Sequence, residues 1–263
     1  MLWLVVAYLG SLAVMFVAAF WSTDSFTGSL VKQFTTDNFH TLITESVYRT
    51  IAIRSIVVAS LVTIIDAVLA MPIAFFMAKV LPTRSRRIMV ALVLLPLWAS
   101  YLVKAYAWRT IFSDGGVLAW LASPFGIHTP GYGLGATTAV LAYLWLPYMI
   151  LPIFSGLERL PDSLLDASSD LGANAWRTFR SVVLPITYPA FIAGSIFTFS
   201  LSMGDYITVK IVGGKSQLFA NVVYDNIGTA GNLPFAAAAA MVPVVTIVAY
   251  LLLVRRSGAL DNL

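Results

Sequence analysis

Cysteine is absent from this sequence, and charged residues are scarce. Without cysteine the chain can form no disulfide, and a metal site or a thiol nucleophile is not expected. Charged residues make up 11% of the 263 residues, against about 25% in a typical soluble domain. Apolar residues make up 59%, above the roughly 45–50% of soluble proteins. The composition therefore indicates a polytopic membrane protein, and no nucleic-acid partner is expected.

Six stretches are apolar and long enough to cross a bilayer as helices, since a span needs about 20 mostly apolar residues. They cover approximately residues 2–21, 51–80, 88–112, 133–155, 189–209 and 233–254. The stretch 2–21 has no basic segment before it and no small-residue cleavage site after it, so we interpret it as a retained span rather than a signal peptide. We expect one all-α transmembrane domain over residues 1–263.

The distribution of lysine and arginine predicts the orientation. With both termini in the cytoplasm, the inner segments 79–87, 158–188 and 255–263 hold nine of these residues in 49 positions. The outer segments 22–50, 104–132 and 209–233 hold six in 83 positions. Positive charge is enriched on the cytoplasmic side of membrane proteins, so we expect cytoplasmic termini and a cytoplasmic 158–188 loop.

The loop 158–188 is the longest polar segment between two apolar spans, and its sequence predicts two short helices. Ser163 and Asp166 have the spacing of a capping box at the start of the first helix. Gly172 is expected to end that helix in the left-handed conformation, and Asn174 to cap the second helix. Pro185 is expected to stop the second helix, because proline disrupts the interior of a helix.

Three aspartates lie at helical spacing in this loop, at positions 162, 166 and 170. Such like charges repel each other by roughly 0.2–0.5 kcal/mol per pair. The helix dipole favours acids in the first turn, which explains two of the three. A face that binds a cationic protein would explain all three, and spacing alone does not decide between these interpretations.

The same loop resembles the EAA motif of ABC importer permeases, EAA-x3-G-x9-I-x-L-P. Asp166, Ala167 and Ser168 stand at the EAA positions, and Gly172 follows after three residues. Val182, Val183, Leu184 and Pro185 complete the pattern after nine more. The departures are Asp for Glu, Ser for the second Ala, and Val for Ile. The segment SMGDYITVKIVGG, Ser202 to Gly214, resembles the spermidine/putrescine permeases in particular.

This resemblance implies a type I ABC importer permease fold, with about six spans and a cytoplasmic coupling helix. It implies that Asp166, Ala167, Ser168, Gly172, Leu184 and Pro185 couple the chain to an ATPase. The implied partners are a second homologous permease, two ATPase subunits that hold ATP and magnesium, and an extracytoplasmic solute-binding protein. The implied location is the bacterial inner membrane, in contact with lipid, and the implied solute is a polyamine or a related small molecule.

Two acids are candidates for the solute path. Asp66 lies inside a predicted span, where an ionised side chain is costly and is a functional candidate. The alternatives are a structural hydrogen bond to a neighbouring helix and a position that faces water. Asp205, next to Tyr206, lies at the outer end of the fifth span, where an ordinary interfacial acid is the alternative. The aromatic candidates for a cavity are Tyr106, Trp108, Trp145 and Tyr148. Acids and aromatic rings suit a cation, whereas Arg54 and Arg109 argue for an anion.

No enzymatic site is predicted. Gly213-Gly214-Lys215-Ser216 is similar to the end of a phosphate-binding loop, but Val209 stands where that motif needs its first glycine. His40 and His128 are the two histidines of the sequence, and both lie in predicted outer loops. The main alternative to an ATP-driven importer is an ion-coupled secondary transporter that uses Asp66. A second alternative is a membrane-embedded enzyme or assembly factor, but the sequence contains no catalytic cluster that would support it.

Overall fold

The computed structural model describes residues 2–24, 27–126 and 131–256, and almost all regular structure in these ranges is helical. The helices run as follows: α1 Leu2–Ala18, α2 Asp37–Thr44, α3 Ser46–Phe75, α4 Thr83–Trp98, α5 Tyr101–Phe112, α6 Val117–Ala122, α7 Leu134–Glu158, α8 Asp162–Asp170, α9 Ala175–Thr178, α10 Leu184–Gly204, α11 Ile207–Val212, α12 Phe219–Gly228 and α13 Leu233–Arg256. Two short antiparallel strands, β1 Ser22–Thr23 and β2 Leu30–Val31, pair after α1. Most backbone polar groups are thus satisfied within their own helix, as a bilayer requires.

The centre of the molecule is formed by α3, α7 and α10, which all pack against each other. Small residues allow close approach, as where Gly194 of α10 lies against Met149 of α7. Towards the loop, buried side chains such as Met77, Ile153 and Leu157 form one continuous cluster. Helix α13 packs against α10, α12 and α1 and completes the bundle on one side.

Four helical stretches within the described ranges are long and apolar enough to cross a membrane. They are Ser46–Val80, Leu134–Glu158, Ala175–Gly204 and Leu233–Arg255. Helices α4 to α6 form a further apolar pair, bent by 89°. The apolar part of α1, Val5–Ala18, is shorter than these. The six predicted spans correspond to α1, α3, the bent pair, α7, α10 and α13.

The predicted continuous third span, 88–112, is wrong. Ala99 and Ser100 adopt extended conformations between α4 and α5, and the chain turns there. Pro96 lies in the last turn of α4, and its carbonyl accepts a hydrogen bond of 2.9 Å from the Lys104 ammonium group. This contact satisfies a backbone group at the break, which we call the elbow. A hydropathy window averages over both helices and therefore does not detect the elbow.

The predicted fifth span, 189–209, has its bounds in the wrong places. One continuous helical rod runs from Ala175 to Gly204, through a π-helical turn at Phe179–Val183. Pro185 therefore lies in the first turn of α10 and does not stop the helix, contrary to expectation. The wider π turn before it leaves room for the proline ring. The rod ends at Gly204, and a new short helix, α11, starts two residues later.

Candidate functional site

A small pocket lies where α10 ends and α11 begins. Its volume is about 270 Å³. The lining residues come from α5, α7, α10 and α11 and the junction between the last two: Tyr101, Trp145, Ser200, Leu201, Gly204, Asp205, Tyr206 and Ile207. We call this the Asp205 pocket. Three of the predicted path residues, Asp205, Tyr206 and Trp145, therefore lie together.

The Asp205 side chain is 7% exposed and is held by hydrogen bonds. Its Oδ1 accepts the backbone N–H of Thr208 at 2.8 Å, which caps the start of α11. Its Oδ2 accepts the Tyr101 hydroxyl, and the Thr208 hydroxyl lies 3.3 Å away. The carboxylate is therefore buried in the wall of a pocket and is not exposed on the surface of the chain. It has a structural role as a helix cap as well as its place in the pocket.

Aromatic rings surround the carboxylate. The ring centroid of Trp145 lies 6.1 Å from that of Tyr101 and 5.9 Å from that of Tyr148. The indole N–H of Trp145 has no hydrogen-bond partner in the described ranges. Tyr206 is stacked on Tyr224, with the centroids 4.5 Å apart and the planes 19° from parallel. A buried carboxylate beside aromatic faces is an arrangement that binds ammonium groups, through charge attraction and cation–π contact.

Tyr101 is the aromatic residue of the pocket that the sequence analysis did not single out. The predicted continuous span 88–112 hid it, because an aromatic residue in mid-span has no distinguishing feature. A possible signal is its position just after Ala99-Ser100, five residues after a proline. In the structure Tyr101 is the first residue of α5 and therefore follows the elbow directly.

The other aromatic candidates do not line this pocket. Tyr106 is exposed on α5. Trp108 packs on Phe112 and Tyr143, with ring centroids 5.7 and 5.3 Å away. Tyr148 is adjacent to the pocket through its contact with Trp145. The sequence pattern could not separate these residues, because the same aromatic residue types occur in packed cores and in binding pockets.

Asp66 lies on α3 and is fully buried. Neither carboxylate oxygen has a hydrogen-bond partner among the described residues. The alternative role of Asp66, a structural hydrogen bond to a neighbouring helix, is therefore not observed there. Asp66 does not line the Asp205 pocket. A buried carboxyl group without partners is costly, which keeps Asp66 a candidate for function.

The arginines that argued for an anionic solute lie elsewhere. Arg109 lies over the ring of Tyr132, 5.7 Å from its centroid. It belongs to the last turn of α5, at the opposite end of that helix from the elbow. Arg54 is half-buried on α3. Neither arginine lines the Asp205 pocket. The charged group among its lining residues is the Asp205 carboxylate.

The polar loop contains the two predicted helices, α8 and α9. Gly172 joins them with a φ of +75°, and nothing lies within 4 Å of a Cβ built there. Hydrogen bonds from Gly172 N–H to Ser169 O (2.9 Å) and from Ala173 N–H to Ser168 O (3.1 Å) form a Schellman motif. The Asn174 side chain accepts the N–H of Arg177 at 2.9 Å. The predictions that Gly172 ends the first loop helix and that Asn174 caps the second are confirmed.

The predicted capping box at Ser163 is wrong. Helix α8 starts at Asp162, directly after Pro161, so Ser163 lies inside its first turn and makes no cap hydrogen bond. Among the candidate coupling residues, Asp166 and Ala167 are exposed. Ser168 instead joins the two loop helices through a 2.9 Å contact between its hydroxyl and that of Thr178.

Two pairs of charged groups fix the loop to the spans. The Lys79 ammonium group donates to Leu160 O at 2.5 Å and to Asp162 Oδ1 at 2.7 Å. The hydrogen bond and positive charge of Lys79 lower the pKa of the Asp162 carboxyl below its ordinary value. Arg86 contacts Glu158 at 3.1 Å and Ala78 O at 2.7 Å. Lys79 thus joins the end of the α3 span to the start of α8, and Arg86 of α4 joins that helix to the ends of the α3 span and α7.

The outer surface of the loop carries exposed apolar side chains beside its acids. Leu171 is 89% exposed, and Leu164 is also exposed on α8. On the inner side, Leu165 packs against the core cluster that contains Leu157 and Val183. A firmly seated loop with exposed leucines and aspartates on its outer face fits a protein-binding surface.

A larger cavity of about 1140 Å³ lies between this loop and the end of α3. Its walls include Phe75, Phe76, Trp176 and Phe179, and none of its lining residues is charged. Such an apolar cavity has no group to neutralise a charged solute. The Asp205 pocket is therefore the better candidate for solute contact.

Comparisons with known proteins place these sites in a family context. The sequence matches the family "Binding-protein-dependent transport system inner membrane component" over residues 53–256. It is 40% identical, over an alignment of 278 positions, to the inner membrane ABC transporter permease protein YdcU of Escherichia coli K12. The alignment covers 100% of this chain and 88% of that protein. It is 34% identical over 209 residues to the spermidine/putrescine transport system permease protein PotB of Haemophilus influenzae, covering 78% and 72% of the two chains.

Solved structures share the fold at low identity. A chain of a bacterial alginate ABC transporter, in complex with an alginate pentasaccharide-bound periplasmic protein, superposes with a TM-score of 0.73 at 14% identity and covers 96% of this chain and 89% of that chain. A chain of the MetNI methionine ABC transporter, in an inward-facing conformation, gives a TM-score of 0.63 at 15% identity, covering 85% and 97%. The all-α polytopic fold is thus that of ABC importer permeases.

Proposed function

Since the chain belongs to the family of binding-protein-dependent transport system inner membrane components, and is a permease subunit of an ABC importer, we propose that its solute is a cationic amine of the polyamine class. The observation that carries this proposal is the Asp205 carboxylate, buried in a pocket with the rings of Tyr101, Trp145 and Tyr206. The names of the PotB relatives agree with it, since those proteins are spermidine/putrescine permeases.

The alternatives fit less well. An anionic solute needs a cation in the pocket, and Arg54 and Arg109 lie outside it. An ion-coupled secondary transporter would use Asp66, but it would give no role to the polar loop, which has the spacing of the EAA motif. Membership of an ABC importer family favours ATP as the energy source, with ATP and magnesium held by a separate ATPase subunit. Asp66 is then a second acid for the solute path and no longer a coupling-ion site.

The loop 158–188 is the proposed contact with the ATPase. Its outer face presents Asp166 and Ala167 at the EAA positions, with Leu171 exposed beside them. This assignment puts the loop and both termini in the cytoplasm, and the protein in the bacterial inner membrane. The complete importer would contain a second homologous permease, two ATPase subunits and an extracytoplasmic solute-binding protein.

The continuous rod Ala175–Gly204 gives a physical route between the two sites. It starts three residues after Gly172 and ends one residue before Asp205. At 1.5 Å per residue, 30 helical residues span about 45 Å, enough to cross the bilayer. Leu184 and Pro185 lie within this rod, so their role is to transmit movement rather than to contact the ATPase directly. When ATP closes the ATPase pair, a shift of the loop is carried to the Asp205 pocket.

The substitution Asp205→Asn tests the proposed solute class. Asparagine keeps the size of the side chain and can still cap α11 by accepting the Thr208 N–H, so the pocket should retain its shape. Removing one partner of a desolvated charge pair costs a few kcal/mol, and 1.4 kcal/mol corresponds to a tenfold change. Putrescine uptake by the reconstituted importer should therefore fall at least about tenfold, while assembly with the ATPase stays normal.

Two matched variants serve as controls. Asp66→Asn should also reduce uptake if both acids line one path, whereas Arg109→Gln should have little effect because Arg109 lies outside the pocket. Normal uptake in Asp205→Asn together with lost uptake in Arg109→Gln would contradict the proposal. An anionic solute would then be the better explanation.

A further inference from the structure

The Asp205 carboxylate has two kinds of hydrogen-bond partner. One is local, because the Thr208 N–H and hydroxyl belong to the first turn of the helix that Asp205 caps. The other comes from a distant part of the chain, because Tyr101 precedes Asp205 by 104 positions. The Tyr101 hydroxyl donates to Asp205 Oδ2 and lies 2.6 Å from the Thr208 hydroxyl. It therefore ties the start of α5 to the start of α11.

We propose that Tyr101 is a positioning residue whose hydroxyl competes with an ammonium group of the solute for the Asp205 carboxylate, and that loss of this hydrogen bond releases the start of α5. The inference rests on the proposed function, since it requires a cationic solute at Asp205. It adds to that function a residue that links solute binding at Asp205 to movement of α5.

The competition follows from the chemistry of the groups. Tyr101 and Asp205 both line the pocket, so a solute in the pocket meets both. A charged ammonium donor makes a stronger hydrogen bond to a carboxylate than a neutral phenol does. The Thr208 N–H is fixed by the backbone, so it keeps its bond to Oδ1 while the phenol gives way. The pocket can thus exchange one donor for another without losing the cap of α11.

The place of Tyr101 in the chain makes its release consequential. It is the first residue of α5, directly after the extended residues Ala99 and Ser100 and the 89° bend. The hydrogen bond from Lys104 to Pro96 O holds the two arms of the elbow to each other, but it does not hold them to α11. Without the Tyr101 hydroxyl, the start of α5 keeps only its packing contacts, such as that between the Tyr101 and Trp145 rings. The elbow can then move relative to the rod.

The variant Tyr101→Phe tests this role in the intact importer, reconstituted with its ATPase, partner permease and binding protein. Phenylalanine keeps the ring against Trp145 and removes only the hydroxyl. ATP hydrolysis without putrescine should rise on the order of tenfold, because a hydrogen bond to a charged group accounts for about one decade or more. Stimulation by the putrescine-loaded binding protein should shrink, and uptake should continue because Asp205 remains.

Tyr143→Phe is the matched control. Tyr143 belongs to α7, packs on Trp108 and lies outside the pocket, and its hydroxyl makes no hydrogen bond in the described part of the chain. The control should hydrolyse ATP and transport putrescine as the wild type does. Abundance of each variant in the membrane shows whether it inserts and assembles.

The double variant Tyr101→Phe with Asp205→Asn shows whether Tyr101 acts through Asp205. If it does, the double variant has the same putrescine-independent ATPase rate as Asp205→Asn alone. Additive effects would overturn the inference, as would an unchanged basal rate in Tyr101→Phe, or loss of both hydrolysis and uptake at normal abundance. Uptake by Asp205→Asn is read separately: normal uptake there contradicts the proposed cationic solute, whereas an unchanged basal rate in Tyr101→Phe contradicts only the positioning role.

Discussion

Replacing Gly172 with valine should separate ATP hydrolysis from transport. Gly172 has a φ of +75°, and it lies between the exposed helix α8 and the start of the rod. A Cβ at this position meets nothing within 4 Å, so steric overlap with other residues does not contribute. The cost is that of forcing an L-residue into the left-handed region, roughly 1–2 kcal/mol, and a β-branched residue lies at the upper end or above.

This cost acts on a small structure held by few contacts. The Schellman hydrogen bonds of Gly172 and Ala173 and the Ser168–Thr178 contact set the angle between α8 and α9. A penalty of about 2 kcal/mol corresponds to a roughly thirtyfold lower population of this turn. Because α8 remains joined to the spans through Lys79, the chain should still insert in the membrane. The ATPase should bind less tightly, or hydrolyse ATP without uptake.

The assay compares binding of the purified ATPase subunit, ATP hydrolysis and uptake in proteoliposomes at equal permease abundance. Gly172→Asn is the matched control, because asparagine tolerates the left-handed conformation better than any β-branched residue. The expected order of uptake is wild type, then asparagine, then valine. Normal uptake by the valine variant at normal abundance would refute the coupling role of this turn.

Three further outcomes are expected. Replacing Asp166 with lysine should weaken assembly with the ATPase more than replacing it with glutamate, and equal assembly in a pull-down would mean that the acid only stabilises the helix. Gly194→Ala should destabilise the bundle by roughly 1–3 kcal/mol, because the added methyl group overlaps Met149. Gly135→Ala is its control: the added methyl group meets open space, so the melting temperature in detergent should be unchanged or slightly higher. Lys79→Met should lower that temperature more than Asp162→Asn, since Lys79 is the buried partner and also holds Leu160 O; equal effects would contradict this.

The turn between α8 and α9 was predictable because its signals are local. The left-handed glycine and the asparagine cap depend on backbone conformation within a few residues, and both predictions were confirmed. Pro185 was misread because a proline removes a hydrogen bond in any helix, but a π turn can be placed before it to make room. Whether such a turn forms is decided by packing against neighbouring helices, which a local rule does not include.

The Asp205 pocket was only half predictable for a similar reason. Asp205 and Tyr206 were selected because they lie at the outer end of an apolar span, in the segment 202–214 that resembles the spermidine/putrescine permeases. Tyr101 has no such mark, and it reaches the site only because the elbow turns the chain and presents α5 to α11. Tyr106 and Trp108 are of the same residue types as the aromatic residues that line the pocket, but their side chains lie outside it.

The sequence by itself determined the class of the protein, the number and approximate places of its apolar segments, and the turn between the two helices of its polar loop. These follow from transfer of side chains into lipid and from local backbone preferences, which depend on residues near each other in the chain. Only the tertiary structure decided that α4 and α5 meet at a sharp bend, that one helical rod joins the loop to Asp205, and that Tyr101 completes the pocket. Each of these depends on which helices pack together, because a hydrogen bond between residues 104 positions apart exists only once the bundle has formed.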